Sequence, residues 1–374
     1  MAIEIDAVNF ENRSQVRSFL DLPFRLYRET QQWVPPLGDD ERSKLNRRHP
    51  FYSHSEAQFL LARRGAKTVG RLAVLDNRRY NEHNGERTAF FTFFECENDR
   101  EAAAGLFAAA ETWSRQRGLN CLSGPKGFTA LDGLGLLTRG FEHRPALGIP
   151  YHLPYYAALL EGCAFSPRGE ILSGYFPVEQ AWPEKIRIAA ERVQERRGLR
   201  VAALRSRRAL LALAPDLERM YNQAIQDTPG NVPLTHDEIR TIVRQLALFA
   251  DPRLVKIIYK DTTPVGFLLA YPDVSAAIQR CRGRLLPFGW LDLLIELRRT
   301  QAININGAGI VEEYRGFGGT AILFNEIYKS LARRGCRQVE IVQIGADNER
   351  MLNELRMVGV EFKKAHTMYA KEIG

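Results

Sequence analysis

The sequence predicts an α/β (α+β) protein built as two tandem copies of one module, and three observations predict it. The chain has 374 residues, more than one typical hydrophobic core organises, so two domains are expected. The segments "AKTVGRLAVL" (66–75) and "TTPVGFLLAY" (262–271) both read as a turn, a Val-Gly step and a buried strand. Further on, "TWSRQRGLNCLSG" (112–124) and "SLARRGCRQVEIV" (330–342) each combine a basic helix end, a glycine suited to a left-handed cap, and a strand. The order strand, helix, glycine, strand therefore occurs twice.

Taken in order, the first copy carries "FFTFFECENDREAAAGLFAAAETWSRQRG", a strand, a turn and a helix. Asn98 and Asp99 suit the helix N-cap, because a short side-chain oxygen can accept from the first free amides. The boundary is expected near "FPVEQAWPEK" (176–185), where two prolines punctuate the chain; this divides it into 1–182 and 183–374. Pro183 suits the first turn of a helix running to Gly198. Gly70 to Gly118 is 48 positions and Gly266 to Gly335 is 69, so the second copy is 21 longer. The excess falls naturally in "QRCRGRLLPFGWLDLLIELRRT" (279–300). From Leu285 to Leu297 that stretch is apolar except for Asp292 and Glu296, which form with Arg299 one polar stripe at helical spacing.

Composition narrows the function. Apolar residues make up 45% and charged residues 26%, as in a folded soluble protein. No run is long and apolar enough to span a membrane, and the acidic start does not read as a secretory signal. Five scattered cysteines form no CxxC pair, so a disulfide framework and a metal site are not expected, and the protein reads as cytoplasmic. The net charge of +8 favours anionic partners. The arginines are spread over several helices with no nucleic-acid module, so nucleic acid is not expected among them.

The densest signal is "EEYRGFGGTAILFNEIY" (312–328), which follows the alternating strand "QAININGAGIV" and opens a helix with Leu323, Ile327 and Leu331 on one face. A glycine-rich turn at a helix N-terminus leaves several N–H groups pointing one way, and with Arg315 that arrangement suits a phosphate. A tight turn with no ligand is the plain alternative for the glycines alone. No GxxxxGK[ST] or GxGxxG pattern is present, which disfavours ATP and NAD.

The run Arg315, Gly316, Phe317, Gly318, Gly319, Thr320 resembles the acyl-CoA motif (Arg/Gln)-x-x-Gly-x-(Gly/Ala) of the GNAT superfamily of N-acyltransferases. The resemblance implies tandem GNAT-like domains, each a mixed, mostly antiparallel sheet flanked by helices. It further implies that these loop amides hold the pyrophosphate of acyl-CoA, the co-substrate. Thr320 departs from the family's small residue. "DNERMLNELRMVGVEF" resembles the helix whose Asn contacts the pantetheine arm, which assigns that role to Asn348. The backbone near Val311 would receive the thioester carbonyl. The tyrosine many members use as general acid would fall at Leu355, and the strand glutamate of other members falls at Asn304. Glu340 and His152 are then the candidate bases. In the first half "ECENDRE" replaces the glycine loop with acids, so that copy reads as degenerate.

The chain also resembles a bacterial subgroup marked by "WVPPL", "FFTFFECEND" and "PYHLPYY", some of whose members acylate long-chain amines, as ceramide synthases do. That implies a lipidic amine acceptor, a CoA or carrier-protein thioester as donor, and peripheral contact with an anionic membrane, on the inner face, through 280–299. Three alternatives stay open: an enzyme acting on a small polar amine, a Fem-type aminoacyltransferase, and a decayed, non-catalytic binding protein.

Overall fold

The computed structural model describes residues 2–374 except 39, 130, 131, 177, 179–182, 203, 226–230 and 317. The expected domain boundary at 182 lies among the residues outside that description.

One continuous sheet of thirteen strands runs through the described residues. The first half contributes β1 (Ile3–Ala7), β2 (Glu56–Arg64), β3 (Lys67–Asp76), β4 (Thr88–Cys96), β5 (Cys121–Gly124), β6 (Leu136–Arg139) and β7 (Ser166–Phe176). The second contributes β8 (Leu199–Val201), β9 (Lys256–Lys260), β10 (Thr263–Pro272), β11 (Ala302–Ile310), β12 (Gln338–Gly345) and β13 (Glu361–Glu372). The order is β1-β2-β3-β4-β5-β13-β7-β12-β11-β10-β9-β8, with β6 beside β13. Two pairs are parallel, β4 with β5 and β11 with β12, each joined by a crossover helix; the remaining pairs are antiparallel. Hence the sheet is mixed and mostly antiparallel, as parallel neighbours require a crossover of this kind.

The halves share their last strands. β13, the end of the second half, pairs with β5 of the first, while β7, the end of the first half, pairs with β12 of the second. β7 and β13 also pair with each other over nearly their whole length. Backbone hydrogen bonds therefore cross the middle of the molecule, and neither sheet half is complete without a strand of the other.

The repeat is visible in register. Gly70 pairs with Cys96 and Gly266 with Ile310, and the next amides, Glu97 and Val311, each donate to the carbonyl of the valine before the glycine. The helices Arg100–Arg115 and Gly319–Arg334 follow, and Gly118 (φ +73°) and Gly335 (φ +68°) both turn left-handed after them. A side chain resists that conformation, so glycine is favoured there. On the second helix Leu323, Ile327 and Leu331 are buried against Ile303, Ile305, Val339 and Ile341 of the sheet. Each such burial contributes roughly 1.5–3 kcal/mol and fixes the loop at the helix's start.

Candidate active site

β11 and β12 pair only from 302 to 305 against 338 to 341. Beyond Ile305 they part. β11 carries a bulge where β10 shifts register between Leu268 and Ala270, and Gly307 takes φ +106° there. β12 is irregular between Ile341 and Ile344, with Gln343 at φ +53°. From Asn306 to Ile310 one edge of β11 therefore faces a cleft instead of a strand.

The loop that follows makes one 3₁₀ turn, Glu312–Tyr314, and then opens. Gly316 and Gly318 stand at φ +80° and +83°, and Gly318 caps the helix without any side-chain hydrogen bond. Ile322 N–H donates to the Gly318 carbonyl, the first helical bond. Among the described residues, the amides of Gly316, Gly318, Gly319, Thr320 and Ala321 have no hydrogen-bond partner. Arg315 is exposed beside them, and its Nε donates to the Ile310 carbonyl at 3.3 Å. Two glycines are required by close packing. A Cβ on Gly318 would lie 2.9 Å from Val193, and one on Gly319 would lie 2.9 Å from Ile310. A Cβ on Gly316 would meet nothing within 4 Å, so its surroundings are open. Unpaired amides at a helix's positive end form an anion cradle.

The cradle opens into a cavity of about 870 Å³. Asn348, Met351, Leu355 and Val358 wall one side; Phe267 and Leu269 of β10 and Leu217, Tyr221, Ile239 and Ile242 of the overlying helices wall the other. The unpaired amides thus face, between the parted strands, a largely apolar chamber.

No family model matches the sequence. Two curated relatives match nearly full length: Protein YghO of Escherichia coli, 26% identical over 371 aligned positions, covering 97% of this chain and 94% of that one, and a bacterial ceramide synthase of Caulobacter vibrioides, 26% identical and covering 99% and 98%. Among solved structures, a tandem GNAT protein from the clavulanic acid biosynthesis pathway superposes with a TM-score of 0.57 at 14% identity, covering 100% of this chain and 99% of that one. The chain has the tandem GNAT fold. A GCN5-related N-acetyltransferase from Sphaerobacter thermophilus agrees, with a TM-score of 0.53 at 15% identity and 99% and 96% coverage.

Within the second GNAT module the expected site residues fall into three groups. Arg315, Gly316, Gly318, Gly319, Thr320 and Asn348 all line the cavity; Phe317 lies outside the described residues. Asn348 caps the following helix, its Oδ1 accepting from Met351 N–H at 3.2 Å. Val311 N–H is already donated to the Val265 carbonyl at 2.9 Å, which leaves the bulged edge upstream as the unpaired backbone nearest the loop. Leu355 is buried, so no phenol stands at that position.

Glu340 and Asn304 are cross-strand neighbours on the other face of the sheet, as alternation demands when Val339, Ile341 and Ile303 face the helix. They line a polar recess of about 390 Å³ shared with Tyr175, Asp273 and Arg144. Both are buried, and the Asn304 Nδ2 has no hydrogen-bond partner among the described residues. Lys364 reaches Glu340 at 2.6 Å and also donates to the Arg144 carbonyl at 2.9 Å. Burial raises the Glu340 carboxyl above the ordinary range, against the pull of that ammonium. Two positions further along β11, Asn306 of the cleft donates to the Tyr271 hydroxyl at 3.4 Å.

His152 sits elsewhere, in the first half. It is buried, its Nδ1 accepts from Leu137 N–H at 3.0 Å, and burial beside His366 lowers its pKa to about 3. It is held neutral as a backbone acceptor. The sequence reading missed Lys364 and Tyr271. The lysine comes 24 positions after Glu340 on a separate strand, and no local pattern marks such a pairing.

Proposed function

We propose that the second GNAT module transfers an acyl group from an acyl-CoA or acyl-carrier thioester to a primary amine, and that the amine is a long-chain, lipidic one. The observation that carries the reading is the set of amides of Gly316, Gly318, Gly319, Thr320 and Ala321, without partners among the described residues and opening directly into an apolar chamber. The cradle suits the diphosphate; at about 870 Å³ the chamber has room for an acyl or alkyl tail as well. The Caulobacter relative, named a bacterial ceramide synthase, supports a long-chain acceptor.

The chemistry needs little from the protein beyond placement and one proton acceptor. The amine nitrogen attacks the thioester carbonyl, the C–N bond forms, the C–S bond breaks, and the thiolate leaves and takes a proton. Amide donors on the bulged edge of β11 stabilise the carbonyl oxygen as it gains charge. An amine with a pKa of about 10 must first lose a proton. Glu340 takes it through water in this reading, its basicity raised by burial and its position held by Lys364. None of the cysteines has to act as a nucleophile.

A second reading, a small polar amine as acceptor, is favoured by the three carboxylates, Glu142, Asp273 and Glu340, around the recess. Calorimetric titration with acyl-CoAs of increasing length separates the two. Affinity rising by ~0.8 kcal/mol per added methylene until the chamber fills supports the lipidic reading. Equal affinity for acetyl-CoA and long chains rejects it. Gly318→Glu, which puts a carboxylate where the diphosphate would lie, should abolish binding in either case.

Glu340→Gln tests the base. It should lower kcat by roughly 10²–10⁴-fold while leaving acyl-CoA affinity unchanged. In the wild type the acid limb of the rate profile should lie above the ordinary carboxylate range, with activity lost as pH falls through it. A wild-type limb that persists in the variant would remove Glu340 from the role.

A further inference from the structure

Eight large hydrophobic residues are exposed among the described residues, and six of them fall between 286 and 295: Leu286, Phe288, Trp290, Leu291, Leu294 and Ile295. The segment is not a loose end. Helices Ser275–Arg280 and Gly289–Arg299 pack on each other through Ile278 and Leu293. Gly38 N–H donates to the Gly283 carbonyl at 2.6 Å, and a Cβ on Gly283 would collide with the Pro36 carbonyl at 2.1 Å. Gln279 ties the first helix to the carbonyls of Gln31 and Trp33. An apolar tip, with Leu286 80% and Phe288 72% exposed, is therefore held out on a rigid mount.

Its charges are sorted as well. Arg280 chelates both Asp292 and Glu296, which neutralises the two acids of the helix. Arg282, Arg284, Arg298 and Arg299 are exposed and have no acidic partner among the described residues. Cations flank the apolar tip on both sides, and the two carboxylates that would oppose them are already engaged.

We propose that the hairpin 275–299 docks the protein on an anionic lipid bilayer, with Phe288, Leu291 and Leu294 entering the interface and the four arginines on phosphate headgroups. Large apolar side chains among unpaired arginines fit a surface that is apolar below and anionic above. Gln279 of the same hairpin walls the polar recess, so docking sets the recess rim beside the lipid headgroups. The proposal does not depend on the acyl-transfer chemistry.

The test is sedimentation of the full chain with vesicles of phosphatidylcholine alone and of phosphatidylcholine mixed with phosphatidylglycerol. Binding to the anionic vesicles, weakening as salt rises, together with a blue shift of Trp290 emission that Trp290→Phe removes, supports docking. Replacing Arg298 and Arg299 by Gln should weaken binding by about fivefold per arginine. Phe288→Asp with Leu291→Asp should abolish it, and because both sites are exposed, acyl-CoA affinity should be unchanged. No binding to anionic vesicles, or equal binding to neutral ones regardless of salt, overturns the proposal. So does a wild-type dimer in sedimentation velocity that the same double substitution dissolves, since the patch would then cover a second copy. Acyl-CoA binding by the same sample shows whether the transferase reading stands independently.

Discussion

The two strand–turn–helix units occupy matching positions in the sheet and treat their free backbone in opposite ways. In the second half the helix starts at Gly319, eight positions after Val311, and the longer turn leaves the amides of Gly316, Gly318, Gly319, Thr320 and Ala321 without partners among the described residues. In the first half it starts at Arg100, three positions after Glu97, and the turn is filled by its own side chains. Asp99 Oδ1 accepts from Ala102 N–H at 3.1 Å and its other oxygen pairs with Arg64 at 2.8 Å. The strand edge differs in the same sense. Cys96, the counterpart of Ile310, has its N–H bonded to the Tyr156 hydroxyl at 3.1 Å and its carbonyl to the Tyr155 hydroxyl at 2.7 Å. Two tyrosines thus hold this backbone in the first half, whereas in the second the Ile310 carbonyl is taken by the exposed Arg315. One copy closes its turn with its own side chains, and its twin leaves the turn open.

The largest effect expected from this contrast is on stability. Tyr156 is fully buried and donates to Glu95 at 2.7 Å while accepting from Cys96. Tyr156→Ala removes the ring and orphans both groups, so it should destabilise the protein by ~3–5 kcal/mol in chemical denaturation. Acyl-CoA affinity in the second half should be unchanged. A variant that instead gains a second acyl-CoA site per chain would show that the first copy is only plugged.

Somewhat smaller is a pH effect at the same place. Glu95 accepts from Tyr27 and Tyr156, both at 2.7 Å, and burial nonetheless raises its pKa to about 7. A carboxyl whose pKa is higher folded than unfolded stabilises the fold most at acid pH, and that stabilisation is lost as pH rises through about 7. The swing is on the order of 3 kcal/mol between pH 5 and pH 8. Glu95→Gln keeps an acceptor for the phenols and should flatten the curve. A wild type already flat over that range would mean that Glu95 stays ionised.

What could be read in the sequence was local. The glycine turn with Gly316 and Gly318 left-handed, the caps at Asp99, Gly118 and Gly335, and the buried stripe of Leu323, Ile327 and Leu331 all depend on neighbours within a few positions, and the structure shows each of them. The unread features join distant segments. The β7–β13 exchange, the Glu340–Lys364 pair and the capture of Asp292 by Arg280 are set by the topology of the sheet and by a turn, and no periodicity announces them. Tyr155 and Tyr156 belong here too. Their proline-bounded loop showed aromatic residues beside a histidine, and only the fold reveals that the phenols, not the imidazole, meet the opened strand. The loop that offered His152 as a candidate base therefore supplies two phenols that hold the backbone of Cys96.

The smallest expected effect separates a ligand loop from a mere turn. Gly316 and Gly85 both lie in the left-handed region, at φ +80° and +65°, and a Cβ on either would meet nothing within 4 Å. Alanine at either position should therefore carry the same backbone strain, about 1 kcal/mol, and lower stability equally. Gly85 ends an ordinary helix of the first half, whereas Gly316 stands in the cradle. Should the cradle bind a diphosphate, the added methyl at 316 displaces one charged hydrogen bond, ~1.5 kcal/mol, and acyl-CoA affinity falls about tenfold. Gly85→Ala leaves that affinity untouched. Equal stability losses with unequal affinities identify a binding loop, because strain is matched and only the ligand differs. Equal affinities would make 315–320 a turn that holds nothing, and the second half would then be as closed as the first.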